Sequence, residues 1–244
     1  MKTFGLIFLA ATFCGRVMAG SSPQTAERMA VQVSYAMSYL CYLPEGYDQD
    51  SRRRWPLVIF LHGQGARGTR LADVRKEGLA AKIEHARSFP FIVVSPQCPA
   101  DEWWNLPAIE AFIDETIRKY RVDPDRVYLT GLSMGGFGVW ALAQRDPDRY
   151  AAIIPVAGSG EPHWAPRLAH LPTWAAHGAH DDAVPVASEQ KLIDAIRAAG
   201  GSPRYTVFPS SGHNVWDEFY ANDALYAWML AQHRAQRAGL PAPK

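Results

Sequence analysis

An α/β fold with a mostly parallel central sheet and helices on both faces is predicted by three observations. Short unbroken apolar runs at residues 56–61, 91–95, 127–130 and 151–156 have the length and composition of strands buried on both faces. Segments with helical apolar spacing follow most of them, so strand and helix patterns alternate almost throughout. The chain of 244 residues also shows no Ser/Gly linker, internal repeat or low-complexity block, which favours one domain over residues 20–244, with its core at about 32–233.

Residues 1–19 read as a secretory signal: Lys2 supplies the positive start, residues 4–13 the apolar run and Val17-Met18-Ala19 the cleavage site. That run is too short to span a bilayer and no later one is longer, so export to periplasm or medium, without a membrane anchor, is expected. Bulky Phe13 argues against a lipid anchor at Cys14. The remaining cysteines, Cys41 and Cys98, fall on different predicted strands and are expected to be two buried thiols. Lys plus Arg number 25 against 24 for Asp plus Glu, a balance with no electrostatic footprint for nucleic acid.

In chain order, residues 32–43 alternate as an edge strand or hairpin, and the strand at 56–61 runs into a glycine-rich turn at 62–68. A helix is predicted over 71–85, the next strand over 91–95, and a helix over 109–120. Asp123-Pro-Asp-Arg126 reads as a turn into the strand 127–130, which a helix at 139–144 follows. Strands at 151–156, 173–176 and 205–208, an amphipathic helix at 188–199 closed by Gly200-Gly201, and a terminal helix at 216–233 complete the pattern.

Gly131-Leu-Ser133-Met-Gly135 between strand and helix is the pattern of a nucleophile elbow. A serine on so sharp a turn needs neighbours without side chains, because strand and helix backbones pass close together. The helix N-terminus then places the Met134 N–H where an oxyanion could develop. A serine nucleophile needs a base, and the base an orienting acid. Two later strand ends offer them: His177-Gly-Ala-His-Asp181-Asp182 and Ser211-Gly-His213. Ser133, Asp181 and His213 are therefore the expected nucleophile, acid and base, with Asp182 the rival acid.

Gly63-Gln64-Gly65-Ala-Arg-Gly68 is a literal G-x-G-x-x-G after a strand, but the next strand ends in Ser95-Pro96-Gln97 without the acid a dinucleotide ribose requires. It reads better as an oxyanion-hole turn, the Gln64 N–H joining that of Met134, with His62 structural. His177 and His180 match no zinc spacing, so no metal is expected, and His177 reads as a packed histidine. Of Trp103 and Trp104, one is expected to pack and the other to line a pocket; Trp216 is expected in the core.

Together His62-Gly-Gln-Gly, Gly131-Leu-Ser-Met-Gly-Gly, His177-Gly-x-x-Asp181-x-x-Val-Pro185 and Gly212-His213 resemble the phospholipase/carboxylesterase group of α/β hydrolases. They are also similar to secreted single-domain esterases related to the prolyl oligopeptidase catalytic domain. The resemblance implies the α/β-hydrolase fold and a serine esterase that works through an acyl-enzyme without a cofactor. Such relatives often carry Glu-Arg after the oxyanion turn, where this chain has Ala66-Arg67. The expectation is a looser turn, with Arg67 free to meet substrate. About sixteen residues separate the strand ending at 156 from the next, too few for a sizeable cap domain. An uncapped site suits a small ester or an acyl or aromatic ester borne on a polymer such as polysaccharide. A polyhydroxyalkanoate depolymerase or serine peptidase with the same triad, and a non-catalytic binding protein on this scaffold, are the alternatives.

Overall fold

The computed structural model describes residues 28, 34–86 and 88–234. The predicted signal, the first two residues of the predicted edge strand and the last ten residues of the chain lie outside them. Among the described residues the chain runs β1 (Tyr39–Tyr42), β2 (Trp55–Leu61), α1 (Leu71–Val74), α2 (Gly78–Glu84), β3 (Ile92–Pro96), α3 (Leu106–Lys119) and β4 (Val122–Leu132). It continues through α4 (Met134–Arg145), β5 (Ala152–Val156), α5 (Ala165–Leu168), β6 (Trp174–Gly178), α6 (Val186–Ala198), β7 (Arg204–Phe208), α7 (Trp216–Ala221) and α8 (Asp223–Leu230).

The strands form one sheet in the order β1-β3-β2-β4-β5-β6-β7. Only the edge strand β1 is antiparallel to its neighbour, Cys41 facing Val94; the other pairs are parallel. Alternate residues of β2 feed two separate cores, as a pleated strand requires. Leu57, Ile59 and Leu61 pack with Ile113 of α3, Trp140 of α4 and Ile193 of α6. Val58 and Phe60 pack on the other face with Leu79 of α2, Tyr220 of α7 and Met229 of α8. The chain leaves β2 toward β3 on one side and returns on the other as β4. The order therefore reverses at β2 and β4, and a crevice opens beyond their carboxyl ends.

Several elements differ from the sequence expectation. The helix predicted over 71–85 is two, because Gly78 adopts φ +47° and a Cβ there would lie 2.5 Å from Leu132 Cδ2. The turn expected at 123–126 lies inside β4 as a bulge. Pairing with β2 jumps from Trp55–Val122 to Leu57–Val127, and Asp123 Oδ1 accepts the Asp125 N–H at 3.0 Å. Helix α3 starts three residues early, since the Asn105 side chain accepts the Ala108 N–H at 3.1 Å. The terminal helix breaks at Asn222, whose Oδ1 caps the Ala224 N–H at 3.0 Å. Cys98 is buried but Cys41 is exposed, contrary to expectation, because the edge strand turns every second side chain outward; both are free thiols.

Candidate active site

Strand β4 passes into α4 through Ser133, whose φ of 52° and ψ of −117° are costly for a residue with a Cβ, roughly 1–3 kcal/mol. The turn is this tight because its flanks touch neighbouring backbone. A Cβ on Gly135 would lie 1.9 Å from the Leu61 carbonyl oxygen. The Ser133 N–H donates to Val156 O at 2.8 Å, and Phe137 N–H to Ser133 O at 3.0 Å, so the strained residue is held from both sides.

The loops after β6 and β7 meet at a second close approach, where a Cβ on Gly178 would lie 2.1 Å from Gly212 O. This contact brings Asp181 and His213 together. Ser133 Oγ lies 2.8 Å from His213 Nε2, and His213 Nδ1 lies 2.8 Å from Asp181 Oδ2. Asp181 Oδ1 accepts the backbone N–H groups of Ala183 at 3.0 Å and Val184 at 2.8 Å. Asp182, the rival, is exposed. Linked in this way, an imidazole can draw the proton from a serine hydroxyl while the carboxylate holds the ring and balances its charge.

Gln64 and Met134, the expected oxyanion donors, both border the cleft around Ser133. Each is the first residue of a helical turn, the position whose N–H has no intrahelical partner. The turn carrying Gln64 is braced from three directions. Glu77 Oε2 accepts the Gly63 N–H at 3.1 Å, and Gln97 Nε2 donates to Ala66 O at 2.9 Å. Arg67 donates to Gln64 O at 3.3 Å and to Glu102 O at 3.1 Å. Arg67 is thus spent on holding two loops and does not border the cleft, so the looser turn and freer arginine expected from Ala66-Arg67 are not found. Glu77, eleven residues downstream, supplies the carboxyl; burial raises its pKa above the ordinary carboxylate value.

His62, fully buried, receives the Cys98 N–H on Nε2 at 3.0 Å, so Nδ1 carries the proton toward Gly63 O at 2.6 Å. Burial pushes its pKa down to about 4. Trp104, 7% exposed, packs on this ring at 4.8 Å, whereas Trp103 is 60% exposed and meets Phe137 edge-on at 6.2 Å above the cleft. The cleft, of about 560 Å³, is walled by Trp103, Phe137, Leu132, Val184 and Trp216. Trp216 is partly buried against the core and also borders the cleft, where its ring meets that of His213 at 5.2 Å.

His177 is buried, as a packed histidine should be, but its partners were not foreseen. Nδ1 lies 2.7 Å from Glu189 Oε2 and Nε2 lies 2.9 Å from Val184 O. Glu189, Glu77, Phe137 and Trp216 are the site residues that sequence reasoning missed. Glu189 left a signal: it shares the helical stripe of Leu192, Ile193 and Ile196, where a solvated glutamate does not belong.

The Esterase family model matches residues 32–203, including Ser133 and Asp181. The chain belongs to that family. It superimposes on a solved thermostable esterase with a TM-score of 0.69 and 30% identity, covering 81% of this chain and 59% of that one. The shared architecture is the α/β-hydrolase fold. A bifunctional acetylxylan esterase/xylanase of Neocallimastix patriciarum is 29% identical over 135 residues, 52% of this chain and 19% of that protein. Poly(3-hydroxyalkanoate) depolymerase C of Paucimonas lemoignei is 39% identical over 51 residues, 21% of this chain and 12% of that protein. The chain thus matches less than a fifth of the length of either curated relative.

Proposed function

We propose that this protein is an exported serine hydrolase that cleaves carboxylic esters through an acyl-enzyme. The observation that carries the reading is the unbroken chain of 2.8 Å contacts from Ser133 through His213 to Asp181 at the reversal point of the sheet. Ser133 Oγ attacks the ester carbonyl carbon while His213 Nε2 takes its proton. The N–H groups of Gln64 and Met134 receive the oxyanion. His213 returns the proton to the departing alcohol, and water then releases the acid by the same steps in reverse.

The substrate we infer is a short or aromatic acyl ester projecting from a larger molecule, with polysaccharide the leading carrier. Between β5 and β6 the chain forms only a short turn and the four residues of α5, so this connection supplies no cap over the cleft. Trp103, Phe137 and Trp216 offer ring faces and edges to an acyl group. The similarity to an acetylxylan esterase supports the polysaccharide reading, and that to a polyester depolymerase supports a second one.

Hydrolysis of matched acetyl, butyryl, octanoyl and feruloyl esters, acetylated xylan, poly(3-hydroxybutyrate) and short peptides by wild type and Ser133→Ala tests the proposal. Wild-type turnover is expected on the soluble esters, with a loss of about 10⁴-fold or more in the variant. Turnover of peptides alone would make it a peptidase. Ester binding without turnover in either protein would refute catalysis and leave a binding protein.

A further inference from the structure

We propose that His177 is a positioning residue for ester hydrolysis: held from behind by Glu189, it presents its Nε2–H to the Asp181 turn and fixes the carboxylate that orients His213. This rests on reading Ser133, His213 and Asp181 as the catalytic residues.

The geometry is closed on every side. The side chains of His177, Asp181 and Glu189 are all 0% exposed. The Nε2 of His177 lies 2.9 Å from Val184 O and 3.1 Å from Asp181 Oδ2. A carbonyl can only accept, so Nε2 carries a proton. That N–H clamps Val184, whose own N–H donates to Asp181 Oδ1 at 2.8 Å, and its positive edge faces the oxygen that also serves His213. The opposite nitrogen, Nδ1, meets Glu189 Oε2 at 2.7 Å, and Glu189 Oε1 accepts the Trp140 indole N–H at 2.8 Å.

A proton between Nδ1 and Oε2 makes the pair either an acid beside a neutral imidazole or a carboxylate beside an imidazolium. In both cases the pair is neutral overall and Nε2 stays protonated. Asp181 therefore faces the positive edge of that N–H, and keeps the Val184 N–H as donor, without a net charge being placed behind it. Burial opposes charge on His177, yet Glu189, the Val184 carbonyl and Asp181 together outweigh it and raise its pKa. Burial raises that of Glu189, which agrees with one shared proton being retained. The other titratable groups facing this network are His213 from the loop after β7 and the buried Tyr205 hydroxyl on β7. Asp182 and His180 are exposed.

Two substitutions separate the role of Nε2 from mere filling of space. The amide nitrogen of His177→Gln falls near the imidazole Nε2, while that of His177→Asn falls near Nδ1. With p-nitrophenyl acetate, His177→Asn is expected to lose about 10- to 100-fold in kcat with KM within about twofold. The acid limb of its kcat/KM profile should move to higher pH. Without the positive edge of that N–H beside it, Asp181 concentrates its charge on His213 and favours the imidazolium. His177→Gln should restore both rate and limb. An unshifted limb and wild-type kcat in His177→Asn overturn the inference if Ser133→Ala is inactive, whereas an active Ser133→Ala overturns the catalytic reading itself. Nitrogen NMR of wild type labelled at histidine gives a test independent of how the variants fold. His177 Nε2 should stay protonated while His213 titrates, and an unprotonated Nε2 would refute the proposal.

Discussion

Replacing Gly135 by alanine should disable the site through the backbone alone, without touching a proposed catalytic side chain. The added Cβ would sit 1.9 Å from Leu61 O, 2.6 Å from Leu61 C and 2.9 Å from His62 O. An unstrained carbon–oxygen contact is about 3.3 Å, so α4 and the end of β2 must part by roughly 1.4 Å. All three obstacles are backbone atoms with no rotamer in which to retreat. The gain in helix propensity, about 1 kcal/mol, is small beside an overpacking cost at the upper end of the usual range, about 3 kcal/mol. The end of β2 leads directly into Gly63 and Gln64, so its displacement moves one proposed oxyanion donor away from Ser133. A misplacement of about 1 Å costs on the order of 100-fold in rate. Urea unfolding and kcat/KM on a soluble ester should both register the change. Gly138→Ala is the control: its Cβ would meet side-chain atoms, Trp104 Cδ1 at 2.9 Å and Leu61 Cδ1 at 3.0 Å, which can shift. Its expected cost is at the low end of overpacking, about 1 kcal/mol. If Gly135→Ala unfolds with wild type and keeps its turnover, the close approach does not set the elbow and the reasoning is wrong.

The exposed Trp103 should behave differently. Trp103→Ala is expected to change stability by less than about 0.5 kcal/mol while raising KM for feruloyl over acetyl esters, and equal effects on both would deny it contact with the acyl group. Buried His62 should make the fold acid-sensitive. Its pKa of about 4, against the ordinary 6.5, means that the unfolded chain binds more protons between those pH values. Stability is therefore complete above pH 6.5 and falls by about 3 kcal/mol as pH drops to 4. Unfolding curves of wild type and His62→Gln across that window should show a smaller pH slope in the variant. Alkylation of the native protein followed by peptide mapping should label Cys41 but not Cys98, whose thiol burial pushes up to about 11.

Strands β2, β3 and β5 were legible because they are buried along their whole length and so appear as short apolar runs, whereas β7 is half-exposed. The elbow was legible because close backbone approach admits only glycine at Gly131 and Gly135. Where the expectation failed, the reason is a contact from far along the chain. Residues 71–85 carry a continuous helical pattern, and only the crowding of Gly78 by Leu132, Phe60 and Tyr220 breaks it. Trp216 packs against the core, and that it also borders the cleft beside His213 was visible only in the structure. Glu77 looked like any helix-face glutamate until the broken helix set it under the oxyanion turn.

By itself, then, the sequence determined the fold class, the elbow and the identities of the serine, histidine and candidate acids, since these depend on neighbours within a few positions. It placed Asp181 ahead of Asp182 only by position in the loop, and it could not show that Glu77 joins in bracing the turn or join His177 to Glu189. Those outcomes depend on contacts spanning 80 residues for Ser133 and His213 and 32 for Asp181 and His213. Only the strand order, the parallel register and the close passage of Gly178 against Gly212 bring such distant residues within hydrogen-bonding reach.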